Sequence, residues 1–307
     1  MTKNLIPVGE VNIDFYNAMF GSVHACNSMS AIESGTYGRV VNMLKDPKEL
    51  SDRMPLLPEM LIKLLDALKD PHSDIFTYLA IIEKDPTFAA KVVEVANTAR
   101  YNRNNTEVVY LRKAASFLGT SGLMKIASTL LLSEVIPCEP IFYKLYGRQI
   151  WTHSVQCASL CELLAKEEGD NEADAYFIGL IHDLGRIIVF HCLTEVTGKT
   201  FRSLMPSSRE FKVLMTDLSL EISHLLAQEW QLPSIYIVAL EQQKEQTHDT
   251  LAELLFRANR LSEHYLLWQK HDVVMKDYQK LQQQLAISDQ VFEQFNELAP
   301  EIAANMS

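Results

Sequence analysis

The chain has 307 residues, of which 48% are hydrophobic and 22% charged, and it carries a net charge of −11. That is ample material for a core in one large or two smaller domains. The acidic balance argues against a general nucleic-acid or anionic-membrane surface, because both reward clustered Lys and Arg.

The five cysteines, Cys26, Cys138, Cys157, Cys161 and Cys192, are odd in number and include no Cys-x-x-Cys pair, so neither a disulfide framework nor a zinc ribbon is indicated. Few glycines and frequent Leu, Ala, Glu, Lys and Gln favour helix over sheet. No secretory-type leader is expected. The apolar run near Ile126–Ile136 is broken by Ser128, Thr129, Ser133 and Glu134, which argues against a membrane span. The expectation is a soluble, cytoplasmic protein.

Residues 1–50 are mixed in polarity, with a short amphipathic segment at Phe15, Met19 and Phe20, and read as a helical extension that docks on the main body. Pro58 suits the first turn of a helix carrying Leu61, Leu64, Leu65 and Leu68, which Pro71 ends. Ser73 or Asp74 can cap the next helix, with Ile75, Leu79 and Ile82 on one face. Asp85-Pro86 starts a third, with Phe88, Val92, Val95 and Ala96 inward. Residues 97–105 are polar and irregular, and Arg100, Tyr101 and Arg103 there form either an anion- or partner-binding edge or a solvated loop.

Helical spacing resumes through Val109, Ala114 and Leu118, and Gly119-Thr120-Ser121-Gly122 reads as a turn before a helix at 123–135. Helices are predicted at 141–168 and 172–193, joined by Glu167-Glu168-Gly169-Asp170. Others follow at about 217–229, from Ser234, through 249–285 and near 288–298. No alternating run reads as a sheet, and no internal repeat is found.

The stretch Ile181-His182-Asp183-Leu184-Gly185-Arg186 follows apolar Phe177, Ile178 and Leu180. Imidazole nitrogen beside carboxylate oxygen suits a divalent transition metal. His153 lies one helix upstream in Trp151-Thr152-His153-Ser154. The same His182, Asp183 and His153 would equally serve as a hydrogen-bonded polar cluster in a helical core. Arg186 can bind a phosphate or pair with a nearby acid. His271-Asp272 repeats the dipeptide in a polar helix and reads as coincidence, and Cys157, Cys161, His191 and Cys192 read as core or near-core residues.

The series resembles the HDOD family, the HD-related output domain of bacterial signalling proteins, a degenerate relative of the HD metal-dependent phosphohydrolases. The matching stretches are Met54-Pro55-Leu56-Leu57-Pro58-Glu59, Ile81-Ile82-Glu83-Lys84-Asp85-Pro86 and Val95-Ala96-Asn97-Thr98-Ala99-Arg100-Tyr101. They continue as Ala114-Ala115-Ser116-Phe117-Leu118-Gly119, Trp151-Thr152-His153-Ser154, Gly179-Leu180-Ile181-His182-Asp183-Leu184-Gly185-Arg186 and Trp230-Gln231-Leu232-Pro233. Each is short; their order and spacing carry the resemblance.

The resemblance implies an all-α fold of two packed helical lobes, the second an HD-like bundle. The expected division is an N-terminal extension at 1–50, an HDOD domain at 51–260 with lobes at 51–140 and 141–260, and a C-terminal helical extension at 261–307. By the family pattern His153, His182 and Asp183 fill three of four metal positions. Asn259 stands at the fourth, where a carboxylate belongs, and Ser219, Gln243 and Lys244 stand where some relatives place histidines. Catalytic residues are therefore not assigned. One weakly held divalent ion (Fe, Mn, Zn or Ni) is the most metal such a set supports. Three functions follow as expectations. The first is a non-catalytic signal-transduction output domain acting on a signalling partner, without nucleic acid or membrane. The others are a metal-dependent phosphohydrolase on a nucleotide or other phosphoester, and a nucleotide sensor without turnover. Oligomeric state, input signal and partner identity have no signature in the sequence.

Overall fold

The computed structural model describes residues 13–18, 28–46, 57–70, 72–98, 101–102, 107–135, 141–197, 207–245, 249–270 and 273–305. Among these residues all regular structure is helical, so the all-α expectation holds. The chain divides into two compact units, one of Pro55–Ile136 and the other of Met1–Met54 with Pro137–Ser307.

The smaller unit is built from α2 (Glu59–Lys69), α3 (Ile75–Ile82), α4 (Pro86–Ala96) and α5 (Leu111–Val135). Its starts are set by caps: Asp74 accepts from the Phe76 and Thr77 amides, and Asp85 accepts from those of Thr87 and Phe88 ahead of Pro86. Leu61, Leu64, Leu65, Leu79, Ile82, Phe88 and Val92 are buried, one stripe per helix. Asn97 closes the loop after α4: its amide donates to the Val93 and Val108 carbonyls at 3.0 and 2.6 Å and accepts from the Val108 amide at 2.9 Å. One expectation fails here and one is narrowed. Val109 is 65% exposed and lies ahead of the helix. The break expected at 119–122 is narrowed to Gly119, whose φ of 68° and ψ of −176° are not helical and divide α5 into two helical runs across a kink. Glycine adopts that backbone cheaply.

The larger unit holds α1 (Ala31–Lys45), α6 (Ile141–Glu168), α7 (Glu172–Ile181), α8 (Leu184–Thr197), α9 (Arg209–Glu229), α10 (Ser234–Glu245), α11 (Thr250–Gln269), α12 (Met275–Gln284) and α13 (Asp289–Asn305). Residues 13–18 add a helical segment before them. The helices α6 and α7 form a hairpin through Gly169. They approach so closely that a Cβ on Gly179 would lie 2.5 Å from the Ala158 Cα. Helix α11 packs on both, and α13 lies on α6, where Gln156 donates to the Ala299 carbonyl at 2.9 Å. Helix α1 docks on α8 and α9, with Glu33 accepting from the Ser207 and Ser208 amides at 2.9 Å each.

Three predicted helices change extent. The predicted helix at 172–193 is two helices broken at His182–Asp183. The helix expected at 217–229 begins at Arg209, capped by Ser208. The stretch 249–285 is two helices, α11 and α12. His248, His271, Asp272, Arg100, Arg103, Met19 and Phe20 lie outside the described residues.

Two stretches, Leu111–Glu134 and Glu172–Leu193, are long and apolar enough by composition to cross a bilayer. The second is 94% buried within the protein, as a core helix pair would be.

Glycine substitution tests the α6–α7 approach. In Gly179→Ala the new methyl meets backbone, which cannot step aside as a side chain can. Overpacking of that kind costs about 1–3 kcal/mol and should lower Tm by several degrees. Gly38→Ala in α1, where a Cβ meets nothing within 4 Å, should raise stability by about 0.4–1 kcal/mol. Thermal melts of the two variants should move in opposite directions; a matched response would show that the close approach does not constrain the fold.

Candidate metal centre

The break between α7 and α8 positions the site. His182 ends α7, its amide bonding to the Ile178 carbonyl, and Asp183 opens α8, its carbonyl accepting from the Arg186 amide at 3.0 Å. Gly185 lies one residue into α8, where a Cβ would sit 2.0 Å from the Ser219 carbonyl oxygen of α9. Its amide donates to Ser223 Oγ at 2.9 Å. Any side chain there would push α8 off α9 and carry Asp183 with it.

His153, His182 and Asp183 form a candidate metal site, with one ligand atom from each within 4.8 Å of the others and all three buried. His153 Nε2 is 3.3 Å from Asp183 Oδ2, and His182 Nε2 is 3.4 Å from Asp183 Oδ1. Asn259 of α11 joins them: its Oδ1 is 3.1 Å from His153 Nε2 and 3.2 Å from His182 Nε2. Ligands bound to one transition-metal ion at roughly 2.0–2.2 Å stand about 3.0–3.5 Å from each other, so the donor types and spacings fit a single ion. His182 Nδ1 donates to the Gly179 carbonyl at 2.8 Å, which leaves a neutral His182 with a bare Nε2 facing two oxygens. Burial pushes the His182 imidazole below its ordinary range and disfavours the proton that would otherwise fill that gap.

Arg186 is not an open anion site. Its Nε is 3.0 Å from Asp183 Oδ1, and its Nη2 is 2.7 Å from Glu263 Oε1 of α11. Burial alone would raise the Asp183 carboxyl, but the Arg186 guanidinium, helped by both imidazoles, holds it well below the usual carboxylate range. Arg260, also buried, interacts electrostatically with Glu263. Two carboxylates and two guanidiniums therefore cancel inside the core when the imidazoles are neutral.

Above this cluster lie Phe15 and Tyr16, neither with any exposed surface. The Phe15 ring centre is 4.9 Å from that of His153 and 4.6 Å from the Arg186 guanidinium carbon, and Tyr16 is 5.4 Å from the same carbon. The Tyr16 phenol lies beside Ser219, at the position where the resemblance places a histidine. The two other substituted positions are bonded elsewhere. Gln243 donates to the Ala252 carbonyl at 2.8 Å, and Lys244 pairs with Glu221. His191 pairs with Glu195 at the surface, whereas Cys157, Cys161 and Cys192 are buried and outside any disulfide.

Glu263, Arg260 and Tyr16 were not legible as site residues. Glu263 had one signal: it stands four residues after Asn259, hence on the same helix face, and that face is otherwise buried.

The HDOD domain profile matches residues 54–246, more than half of the chain, and the chain belongs to the HDOD family. An uncharacterized protein of Treponema pallidum (strain Nichols) is 26% identical over 192 residues, covering 59% of this chain. The chain spans only 36% of that relative's length. Among solved structures, an HDOD domain protein of unknown function from Geobacter sulfurreducens aligns with a TM-score of 0.63 at 18% identity, over 88% of this chain and 97% of that one. A candidate phosphohydrolase from Shewanella amazonensis SB2B aligns at 0.62 and 18% identity, over 87% and 98%. A candidate signal transduction protein from Marinobacter aquaeolei VT8 aligns at 0.61 and 20% identity, over 89% and 65%. At these identities the structural matches speak for the fold.

The buried histidines set an acid limit. Burial lowers the imidazoles of both His182 and His264. A lowered folded pKa means that the unfolded chain takes up the proton first, so stability is whole above the ordinary histidine pKa of about 6.5 and falls below it. The limiting slope is about 1.4 kcal/mol per pH unit for each such group. Urea midpoints should be lower at pH 5.5 than at pH 7.5, and His264→Gln should shrink the difference. Equal midpoints at both pH values would contradict the neutral buried state of these rings.

Proposed function

We propose that this chain is a regulatory output domain of bacterial signalling, acting in the cytoplasm through contacts with a signalling protein and without catalysis. One observation carries the reading: the carboxylate that a hydrolytic metal would need is bonded to Arg186 beneath two buried aromatic rings. A hydrolytic centre needs an open coordination position for water and a path for substrate. Here Phe15 and Tyr16 lie against His153 and Arg186, and the fourth position holds a neutral amide. Membership of a family whose relatives include candidate phosphohydrolases and signalling proteins does not decide between these roles.

A second reading has its own support in the bare His182 Nε2 facing Asp183 and Asn259. His153, His182, Asp183 and Asn259 would hold one divalent ion of the Fe, Mn, Zn or Ni kind. Such an ion lowers the pKa of bound water and polarises phosphoryl oxygens. The chain's own contribution would be to orient His182 through Gly179 and to keep Asp183 ionised through Arg186. Because Arg186 already neutralises that carboxylate and Asn259 adds no charge, the ion would be weakly held and would act as a structural element.

Elemental analysis of tag-free protein separates the readings. The first predicts well under one equivalent of metal in the wild type and no turnover of phosphoester substrates with added Mn2+. It also predicts a specific gain. Asn259→Asp adds an uncompensated, half-buried carboxylate, so the variant should melt below wild type in chelator and recover with Mn2+ or Zn2+, in the manner of ligand-linked stabilisation. Near one equivalent in the wild type, lost in Asp183→Ala and accompanied by turnover, would replace this reading with the phosphohydrolase.

A further inference from the structure

We propose that residues 13–18 form a displaceable intramolecular lid, in which Phe15 and Tyr16 shut the pocket of His153, His182, Asp183 and Arg186. Release of the lid opens that pocket to solvent and ligand.

Three observations carry this. First, the two rings are the cover. Both are fully buried, both lie on the Arg186 guanidinium, and Phe15 also lies on His153. Second, the segment is tied to the α1–α9 contact. A polar tether is made by Asn17, whose Oδ1 accepts from Lys212 Nζ at 2.6 Å. Lys212 also donates to the Ser207 carbonyl and lies within electrostatic reach of Glu33 and Asp14, so the tether links the lid to the α1–α9 contact.

Third, the closed state leaves polar groups unsatisfied. His153 Nδ1 and Arg186 Nη1 are buried without a hydrogen-bond partner beneath the rings. Water or a ligand would satisfy both on opening. Closure gains the burial of two aromatic rings but leaves two polar atoms unmet. These opposing terms bring the open and closed states close in free energy, which is what a switch requires. A buried contact that strands polar atoms is a place where a fold opens locally rather than globally.

The test is histidine accessibility, read as carbethoxylation by diethyl pyrocarbonate with peptide mass spectrometry, in chelator so that no ion protects the rings. It is therefore independent of the metal question above. In the full-length wild type, exposed His72 should react while buried His153, His182 and His264 stay protected. In the Phe15→Ala/Tyr16→Ala double variant, His153 and His182 labelling should rise at least tenfold with His264 unchanged. If His264 rises as well, that variant has lost its fold, and Asn17→Ala decides, since it cuts the tether and leaves both rings. Faster His153 labelling in Asn17→Ala, with His264 protected, supports the lid. Protection of His153 and His182 equal to that of His264 in a folded variant overturns it. So does wild-type labelling of His153 as fast as that of His72.

Discussion

The larger unit is organised around one buried cation. Arg186 joins Asp183, three residues before it at the opening of α8, to Glu263 of α11. All three side chains are almost wholly out of water. Removing one partner of such a set strands a charge in low dielectric, at a cost of about 3–5 kcal/mol. Replacing the whole set by apolar groups of similar volume can be neutral. The ion pairs therefore bear less on total stability than on arrangement: they fix which face of α11 meets the α7–α8 break. Gly185 lets α8 come within backbone contact of α9, Ser223 takes up its amide, and His182 is turned by Gly179. Each of these contacts presupposes Asp183 and Arg186 where they are.

Around that cation the substitutions form a consistent set. A site with two histidines, two aspartates and further histidines presents excess negative charge and waits for a metal. Here Asn259 withdraws one of those charges. Ser219 leaves room beside Arg186 that the Tyr16 ring takes, and Gln243 and Lys244 are bonded to α11 and α9. With Arg260 beside Glu263, the buried charges balance without an ion from solution. The shape of a metal pocket persists because the helices that build it are the core of the unit, and the packing of Gly179 on Ala158 and Gly185 on Ser219 has no dependence on what the pocket holds.

Local chemistry made much of the fold legible in the sequence. Asp74 and Asp85 announce their helices because a short carboxylate reaches its own N2 and N3 amides, and His153, His182 and Asp183 stand out because the residues around them are apolar. Asn259 was found by family pattern. The failures share a cause. Whether His182–Asp183 breaks a helix depends on what packs alongside, and no residue near His182 forbids a continuous helix. Val109 followed the periodicity yet faces solvent, because period alone does not fix where a helix begins. Glu263 and Tyr16 lie 77 and 170 residues from Arg186, at distances where one sequence carries no signal.

Arg186 also decides what kind of site this can be. An ionised aspartate in a dry core requires a cation. A metal ion meets that need and keeps open positions for water and substrate; a guanidinium meets it with fixed donors and no exchangeable ligand. Once the chain supplies the cation, the carboxylate is held without reference to metal supply through its Oδ1, while Oδ2, 3.3 Å from His153 Nε2, has no hydrogen-bond partner. The donors that face one another there, from His153, His182, Asp183 and Asn259, carry a single negative charge, which Arg186 already offsets. What the pocket retains is a face of guanidinium and imidazole under two aromatic rings.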